Sequence, residues 1–311
     1  MSILSDLHFH NEEAAYEWIE ARLWPNGPEC PRCKGTDRVG KLQGKSTRIG
    51  VYKCYACKKP FSVKVGTIFE DSHIKLHIWL QAIHLVCSSK KGISANQLHR
   101  TLKVTLKSAW FLGHRIREAM RSGSFATKLG GEGAIVEADE TFIGRKKGRA
   151  KKTGSGHKMA ALALVERGGD VRSFQIDRAT VANVYPIIDR NLSWESVLMT
   201  DDSVLYDTIG REFKAHLTVE HSKDEYVRGA AHTNTLEGYF SIFKRGMKGV
   251  YQHCDEKHLH RYLAEFDFRY NNRVARGVHD EQRAEKALLG VKGKRLTYKA
   301  ADRTGTDAKA H

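Results

Sequence analysis

Nowhere in the 311-residue chain do eighteen apolar residues stand in a row, so no membrane-spanning helix is expected. The opening residues, Met1 to His8, lack the basic and apolar regions of a secretory signal peptide. Both absences point to the cytoplasm. Cysteine is scarce: there are six, and four of them fall in two Cys-x-x-Cys pairs. In a reducing compartment that pattern indicates a metal site more than a disulfide scaffold. Acid is also short, with 36 Asp+Glu against 52 Lys+Arg and a net charge of +16. A field of that sign suits a polyanion, because each neutralised phosphate releases counterions. The plainer alternative is a basic protein that is merely soluble. Length allows two or three domains with a sizeable core.

What is present begins with a helix predicted over residues 11–24. Asn11 suits the N-cap, Glu12 and Glu13 favour the positive end of the dipole, and Pro25 ends the pattern. Cys30-Pro-Arg-Cys33 and Cys54-Tyr-Ala-Cys57 follow, separated by 20 residues (34–53). Four thiolates at this spacing fit a closed, structural zinc site, and strand-like runs at Arg48 to Tyr52 and Phe61 to Val65 fit a zinc ribbon. Four buried free cysteines are the alternative.

Residues 73–121 read as helical. Ser94 with Gln97 forms a capping-box pattern, and Thr105 can cap the next helix. Two helices with a tight break and with Arg100, Lys103, Lys107, Arg115 and Arg117 read as a helix-turn-helix, or as a generic helical hairpin. The Ser- and Gly-bearing stretch 121–132 reads as a linker. Beyond it the pattern alternates. Strands are predicted at Ile135 to Ile143, Lys158 to Glu166 and Val171 to Asp177, the last two joined at Gly168-Gly169. A helix capped by Asn183, a strand from Ser196 to Thr200, a second helix and a strand from Ala215 to Glu220 complete a mixed α/β sheet. Between the first two strands runs an acid-free basic segment containing Lys146 and Lys147, read either as a solvated loop or as a phosphate contact. Two amphipathic helices follow, around Glu237 and around Leu263. From Val291 onward no periodicity remains and disorder is expected. The resulting units are 1–70, 71–125, 130–290 and the tail 291–311.

The first predicted strand organises the rest. Its apolar residues enclose Asp139, and a buried carboxylate demands a hydrogen bond, a partner ion or a metal. Asp201 lies 62 residues on (201 − 139) at a strand end, and Glu237 a further 36 (237 − 201) on a helix. Three carboxylates can hold two hard cations such as Mg2+ or Mn2+. Glu137 shares the strand face of Asp139 by alternation, and Asp202 adjoins Asp201. Seven residues rotate a helix by about 700°, so Glu237 and Lys244 point almost the same way, about 10 Å apart. Asn234-x-x-Glu237 is also a capping-box pattern, which would give Glu237 a structural role.

These segments resemble the DDE transposases of bacterial insertion sequences, and within them the ISXO-like group, which begins with a four-cysteine zinc ribbon. The resemblance is carried by Glu137-Ala-Asp-Glu-Thr-Phe-Ile-Gly144, Thr200-Asp201 and His232-Thr-Asn-Thr-Leu-Glu-Gly-Tyr-Phe-Ser-Ile-Phe-Lys-Arg245. Trp24-Pro25, the four cysteines and His258 to Arg273 extend it to roughly residues 10–290. It implies a ribonuclease-H-like catalytic domain with Asp139, Asp201 and Glu237 as the ion-holding acids for two Mg2+ or Mn2+ ions, and one structural Zn2+ on Cys30, Cys33, Cys54 and Cys57. It implies cleavage of element ends and joining of the 3′ hydroxyl to target DNA, within a homo-oligomeric synaptic complex. Lys244, Arg245, Asn234, His232, Lys146 and Lys147 are the expected DNA contacts. The rival expectation is a zinc-ribbon regulator whose C-terminal domain does no chemistry. A third is a nuclease of the same fold without strand transfer.

Overall fold

The computed structural model describes residues 2–121, 127–151, 153–219 and 233–296. Helix α1 (Glu12–Leu23) starts where the Asn11 side chain accepts the Ala14 N–H at 2.9 Å. Its residues Ala15, Ile19 and Leu23 are buried. The ribbon that follows has three short antiparallel strands, β1 (Val39–Lys41), β2 (Tyr52–Cys54) and β3 (Pro60–Phe61). β2 begins at Tyr52, where the first expected run ends, β3 ends at Phe61, where the second begins, and β1 was not expected. Trp24 meets Tyr52 and Phe61 edge-on at 5.5 and 5.8 Å, and Tyr52 Oη donates to Glu20 at 2.7 Å, which ties the ribbon to α1.

Helices α2 (Leu76–Ser88), α3 (Ala95–Leu102) and α4 (Leu106–Met120) come next. Ser94 caps α3 by accepting the Gln97 N–H, and Thr105 caps α4 by accepting the Ser108 N–H, each at 3.1 Å. Lys103 adopts a left-handed φ of 52°, so three residues turn the chain between the helices. Leu98, Leu102, Leu112 and Ile116 join α1 and α2 in one core. Two of the basic residues assigned to the helix-turn-helix point inward. Arg115 donates to the carbonyls of Ile68, Glu70 and Leu296, and Arg117 pairs with Glu265 at 2.5 Å. A guanidinium reads as surface in the sequence, but here buried acceptors consume its donors.

The second half holds a five-stranded sheet among the described residues, in the order β6-β5-β4-β7-β8. The strands are β4 (Ile135–Ile143), β5 (Met159–Glu166), β6 (Val171–Ile176), β7 (Val197–Asp201) and β8 (Ala215–Val219). β4, β5 and β6 are antiparallel neighbours, whereas β7 and β8 run parallel to β4. The inner strand β5, between β6 and the central β4, is buried from Met159 to Val165, as a strand covered on both faces must be. α5 (Val181–Asn191) and α6 (Leu205–Ile209) cover one face; α7 (Asn234–Gly246) and α8 (Leu259–Asn271) cover the other. This is the ribonuclease-H-like mixed sheet. α5 begins after Thr180, not at Asn183, whose side chain instead donates to the Arg178 carbonyl.

α7 continues as one π-helical turn, Met247–Tyr251. Gly92, at φ +97°, lets the α2–α3 turn lie against it, since a Cβ there would fall 2.0 Å from Tyr251 Oη. A ninth helix, α9 (Asp280–Leu289), was not foreseen and packs Ala287 and Leu288 into the N-terminal core. The disorder expected from Val291 does not hold for residues 291–296. Val291 is fully buried, Lys294 Nζ donates to the Ala119 carbonyl at 2.9 Å, and Arg115 grips the Leu296 carbonyl at 2.9 Å. Backbone hydrogen bonds pin this segment without any side-chain period. Residues 297–311 lie outside the described residues.

Candidate active site

Alternation along β4 sorts its acids. Val136 and Ala138 enter the core beneath α5 and α6, so Glu137, Asp139 and Thr141 face α7 and α8. Glu140 faces the other way and accepts the Tyr206 hydroxyl of α6 at 2.5 Å. The parallel register pairs Glu137 with Met199. Two further steps bring Asp139 beside Asp201, whose carboxylate also accepts the Ser203 N–H at 3.2 Å. Burial, then the charges of Asp201 and Glu140, push the Asp139 carboxyl up to about 8. Lys244, on α7, works in the opposite direction. Burial likewise raises Glu140 to about 7, against the pull of the Tyr206 hydrogen bond. An all-oxygen set that repels itself in this way fits a hard divalent cation, which would relieve the repulsion.

α7 supplies the third acid. Leu236, Phe240 and Phe243 bury one stripe against the sheet, leaving Glu237 and Ser241 exposed and Lys244 half-buried beside them. The capping-box expectation for Asn234 and Glu237 does not hold. The N-cap position is Thr233, and Asn234 already lies inside the helix. Glu237 instead receives a long contact from Thr233 Oγ1 at 3.4 Å. Among the described residues, only the four ribbon cysteines bring three or more metal-type ligand atoms within 4.8 Å of one another. The structure thus sets Asp139 beside Asp201 and puts Glu237 on the covering helix, without drawing the trio that close.

The residue that does hold the start of α7 is Glu137. It is fully buried, it pairs with Arg167 Nε at 2.7 Å, and its second oxygen accepts the Leu236 N–H at 3.0 Å. Its position two residues before Asp139 was visible in the sequence; the two groups it binds, 30 and 99 residues away, were not.

The expected DNA contacts divide. Lys244 and Arg245 sit on α7, with Arg245 folded back on Ser241 at 2.9 Å. Lys147 is exposed. Lys146 is engaged within the chain: Asp177 at 2.8 Å and Glu256 at 3.1 Å pair with its ammonium, and its side chain is only 12% exposed. Asn234 is exposed at the first turn of α7, and His232 lies outside the described residues.

The ribbon cysteines converge in two matching turns. Lys34 and Lys58, each next after a Cys-x-x-Cys pair, both take a left-handed φ near 60° (61° and 58°). Cys30 Sγ lies 3.7 Å from Cys57 Sγ, and Cys33 Sγ 3.5 Å from Cys54 Sγ. A tetrahedron with Zn–S bonds of about 2.3 Å has edges of about 3.8 Å, so the four sulfurs fit that ion.

Residues 128–271 match the ISXO2-like transposase domain family, and residues 10–60 match the transposase zinc-ribbon domain family. A relative, the uncharacterized protein in transposable element ISH50 of Halobacterium salinarum, is 25% identical over 279 residues, covering 84% of this chain and 91% of that protein. Two solved structures show weaker likeness. A chain of the simian T-cell lymphotropic virus intasome in complex with PP2A regulatory subunit B56 gamma is 14% identical with a TM-score of 0.27, covering 55% of this chain and 67% of its own. A chain of a pre-cleavage Mos1 transpososome is 11% identical with a TM-score of 0.18, covering 68% and 78%. At those scores neither structure carries weight. Among the described residues, no helix is long and apolar enough to cross a membrane.

Proposed function

We propose that the chain is a DDE transposase of the ISXO2-like kind with an N-terminal zinc ribbon, and that it cuts and joins DNA through Asp139, Asp201 and Glu237. The single observation that most supports this reading is Asp139 set beside Asp201 on adjacent parallel strands, where burial and then the Asp201 charge push the Asp139 carboxyl up to about 8. Divalent ions, when bound, supply an activated water at neutral pH and stabilise the attacking and leaving oxygens of a phosphodiester. Asp139 and Asp201 hold them from the sheet and Glu237 from α7. Lys244, Arg245, Asn234, His232 and Lys147 meet the flanking phosphates. In the first step the water oxygen bonds to phosphorus and the 3′ oxygen of the element's end departs as a hydroxyl. That hydroxyl then bonds to a target phosphorus and displaces the target's 3′ oxygen. No covalent bond to the protein is needed. The ribbon and the α3–α4 pair grip the terminal inverted repeats, through the exposed Arg100, Lys103, Lys107 and Trp110, and copies assemble on paired ends.

The test is nicking of end-containing DNA with Mg2+ or Mn2+. Asp139→Asn and Glu237→Gln should each lose about a thousandfold in rate, the equivalent of several kcal/mol of ion-borne stabilisation, with DNA binding and melting retained. Normal cutting by Glu237→Gln would remove that residue from the trio. A wild type that binds ends but never nicks would favour the zinc-ribbon regulator. One structural zinc per chain is the companion proposal. Metal analysis should return about one zinc per chain, and Cys54→Ser should lose it.

A further inference from the structure

Glu137 is the only one of the three β4 acids whose two oxygens are both bound to other elements at close range. One binds Arg167 and the other binds the Leu236 N–H, in the first turn of α7. That amide is among the N–H groups that a helix leaves without an intrahelical partner. The residue at the N-cap, Thr233, makes no side-chain bond to it. The carboxylate also meets the positive end of the helix dipole. A buried ion pair by itself is weak evidence of stabilisation, so pairing with Arg167 does not account for the second oxygen. What the second oxygen joins is informative. Glu137 lies two residues from Asp139 on the same strand face, and Leu236 is the residue before Glu237. One hydrogen bond therefore closes the shortest route between the acid on the sheet and the acid on the helix.

We propose that Glu137 is a positioning residue, which docks the N-terminus of α7 onto β4 and so sets the reach of Glu237 toward Asp139 and Asp201. The proposal rests on the reading of those three acids as the ion-holding trio. Glu137 touches neither ion nor DNA in this role. It fixes where α7 begins.

Glu137→Ala alone would strand the Arg167 charge and endanger the fold. The test therefore uses the full zinc-loaded chain with the apolar exchange Glu137→Leu/Arg167→Met, which removes both charges at similar volume and should leave the melting temperature nearly unchanged. Glu137→Gln, made together with Arg167→Met so that no guanidinium is stranded, is the conservative companion, since its amide oxygen can still accept the Leu236 N–H. Two readouts other than activity are taken. Hydrogen exchange at the Leu236 amide should speed up about tenfold or more in Glu137→Leu/Arg167→Met and stay near wild type in Glu137→Gln/Arg167→Met. Mn2+ binding, followed by the paramagnetic resonance of the free ion, should weaken about tenfold in Glu137→Leu/Arg167→Met and less than about threefold in Glu137→Gln/Arg167→Met. Unchanged Mn2+ affinity in Glu137→Leu/Arg167→Met, with affinity lost in Asp139→Asn, would leave the trio standing and reduce Glu137 to a core ion pair. Equal Mn2+ binding by wild type and Asp139→Asn would overturn the trio, and the proposal with it.

Discussion

Two carboxylates in this molecule, Glu265 fully buried and Asp139 half-buried, meet opposite fates. Glu265 on α8 is fully buried, yet Arg269 and Arg117 outweigh the effect of burial and hold its carboxyl below the ordinary range. Tyr251 adds a hydroxyl donor. Burial also raises Asp139, but there Asp201 and Glu140 add to it and outweigh Lys244, and its carboxyl rises to about 8. In the first case the chain supplies its own cations, and the result is a joint. Arg117 comes from α4, Tyr251 from the π-turn after α7, and Glu265 and Arg269 from α8. In the second case Lys244 opposes the rise only in part, and a divalent cation would relieve the rest.

The comparison would break most visibly at Glu265. Glu265→Gln leaves two guanidinium groups facing a neutral amide and should destabilise by about 3–5 kcal/mol. Calorimetry should show the melting temperature falling by roughly 10 °C, and an unchanged value would mean that the joint carries no load. Asp139→Asn should do the reverse. The folded value of Asp139 lies above its ordinary 3.8, so its contribution is present below that pH and is lost as pH rises through about 8. Without divalent ions, Asp139→Asn should therefore melt above wild type by roughly 3–8 °C at pH 8, with the gap closing toward pH 4. Glu265 has the opposite sign. Its folded value lies below 4.5, so its stabilisation is present above that and is lost only as pH falls through the depressed value. Melting curves from pH 3 to 9 in chelator separate the two. The smallest effect concerns two adjacent lysines. Lys147→Ala should lower the salt dependence of DNA binding by about 0.9 in log–log slope, as expected for one phosphate contact, while Lys146→Ala, already neutralised by Asp177 and Glu256, should change it little. Equal slopes would return Lys146 to the DNA surface.

What the sequence disclosed was local. Asn11, Ser94 and Thr105 each cap within three residues of themselves, and all three were readable. So were the cysteine spacing and the acids on the apolar β4. What stayed hidden depends on distant partners. Arg115 and Arg117 read as surface cations because the groups that bury them, Leu296 and Glu265, lie 181 and 148 residues away. Lys146 looked available until Asp177 and Glu256 were brought beside it. The start of α7 suggested an internal capping box, whereas the cap comes from β4. Among the three acids, Asp139 and Asp201 could be matched by strand register once the sheet was known, but the reach of Glu237 depends on how α7 docks.

The docking of α9 sets an order on synthesis. The N-terminal helical core closes only when Ala287, Leu288 and Val291 fill it, about 160 residues after the end of α4. At ribosomal speeds of about 5–20 residues per second, that interval is about 8 to 30 s. During it α2 and α4 present an open apolar face, and Arg283, which grips the Cys87 carbonyl at 2.9 Å, has not been made. The N-terminal half therefore matures last although it is translated first, and chains broken off before residue 280 cannot finish its core.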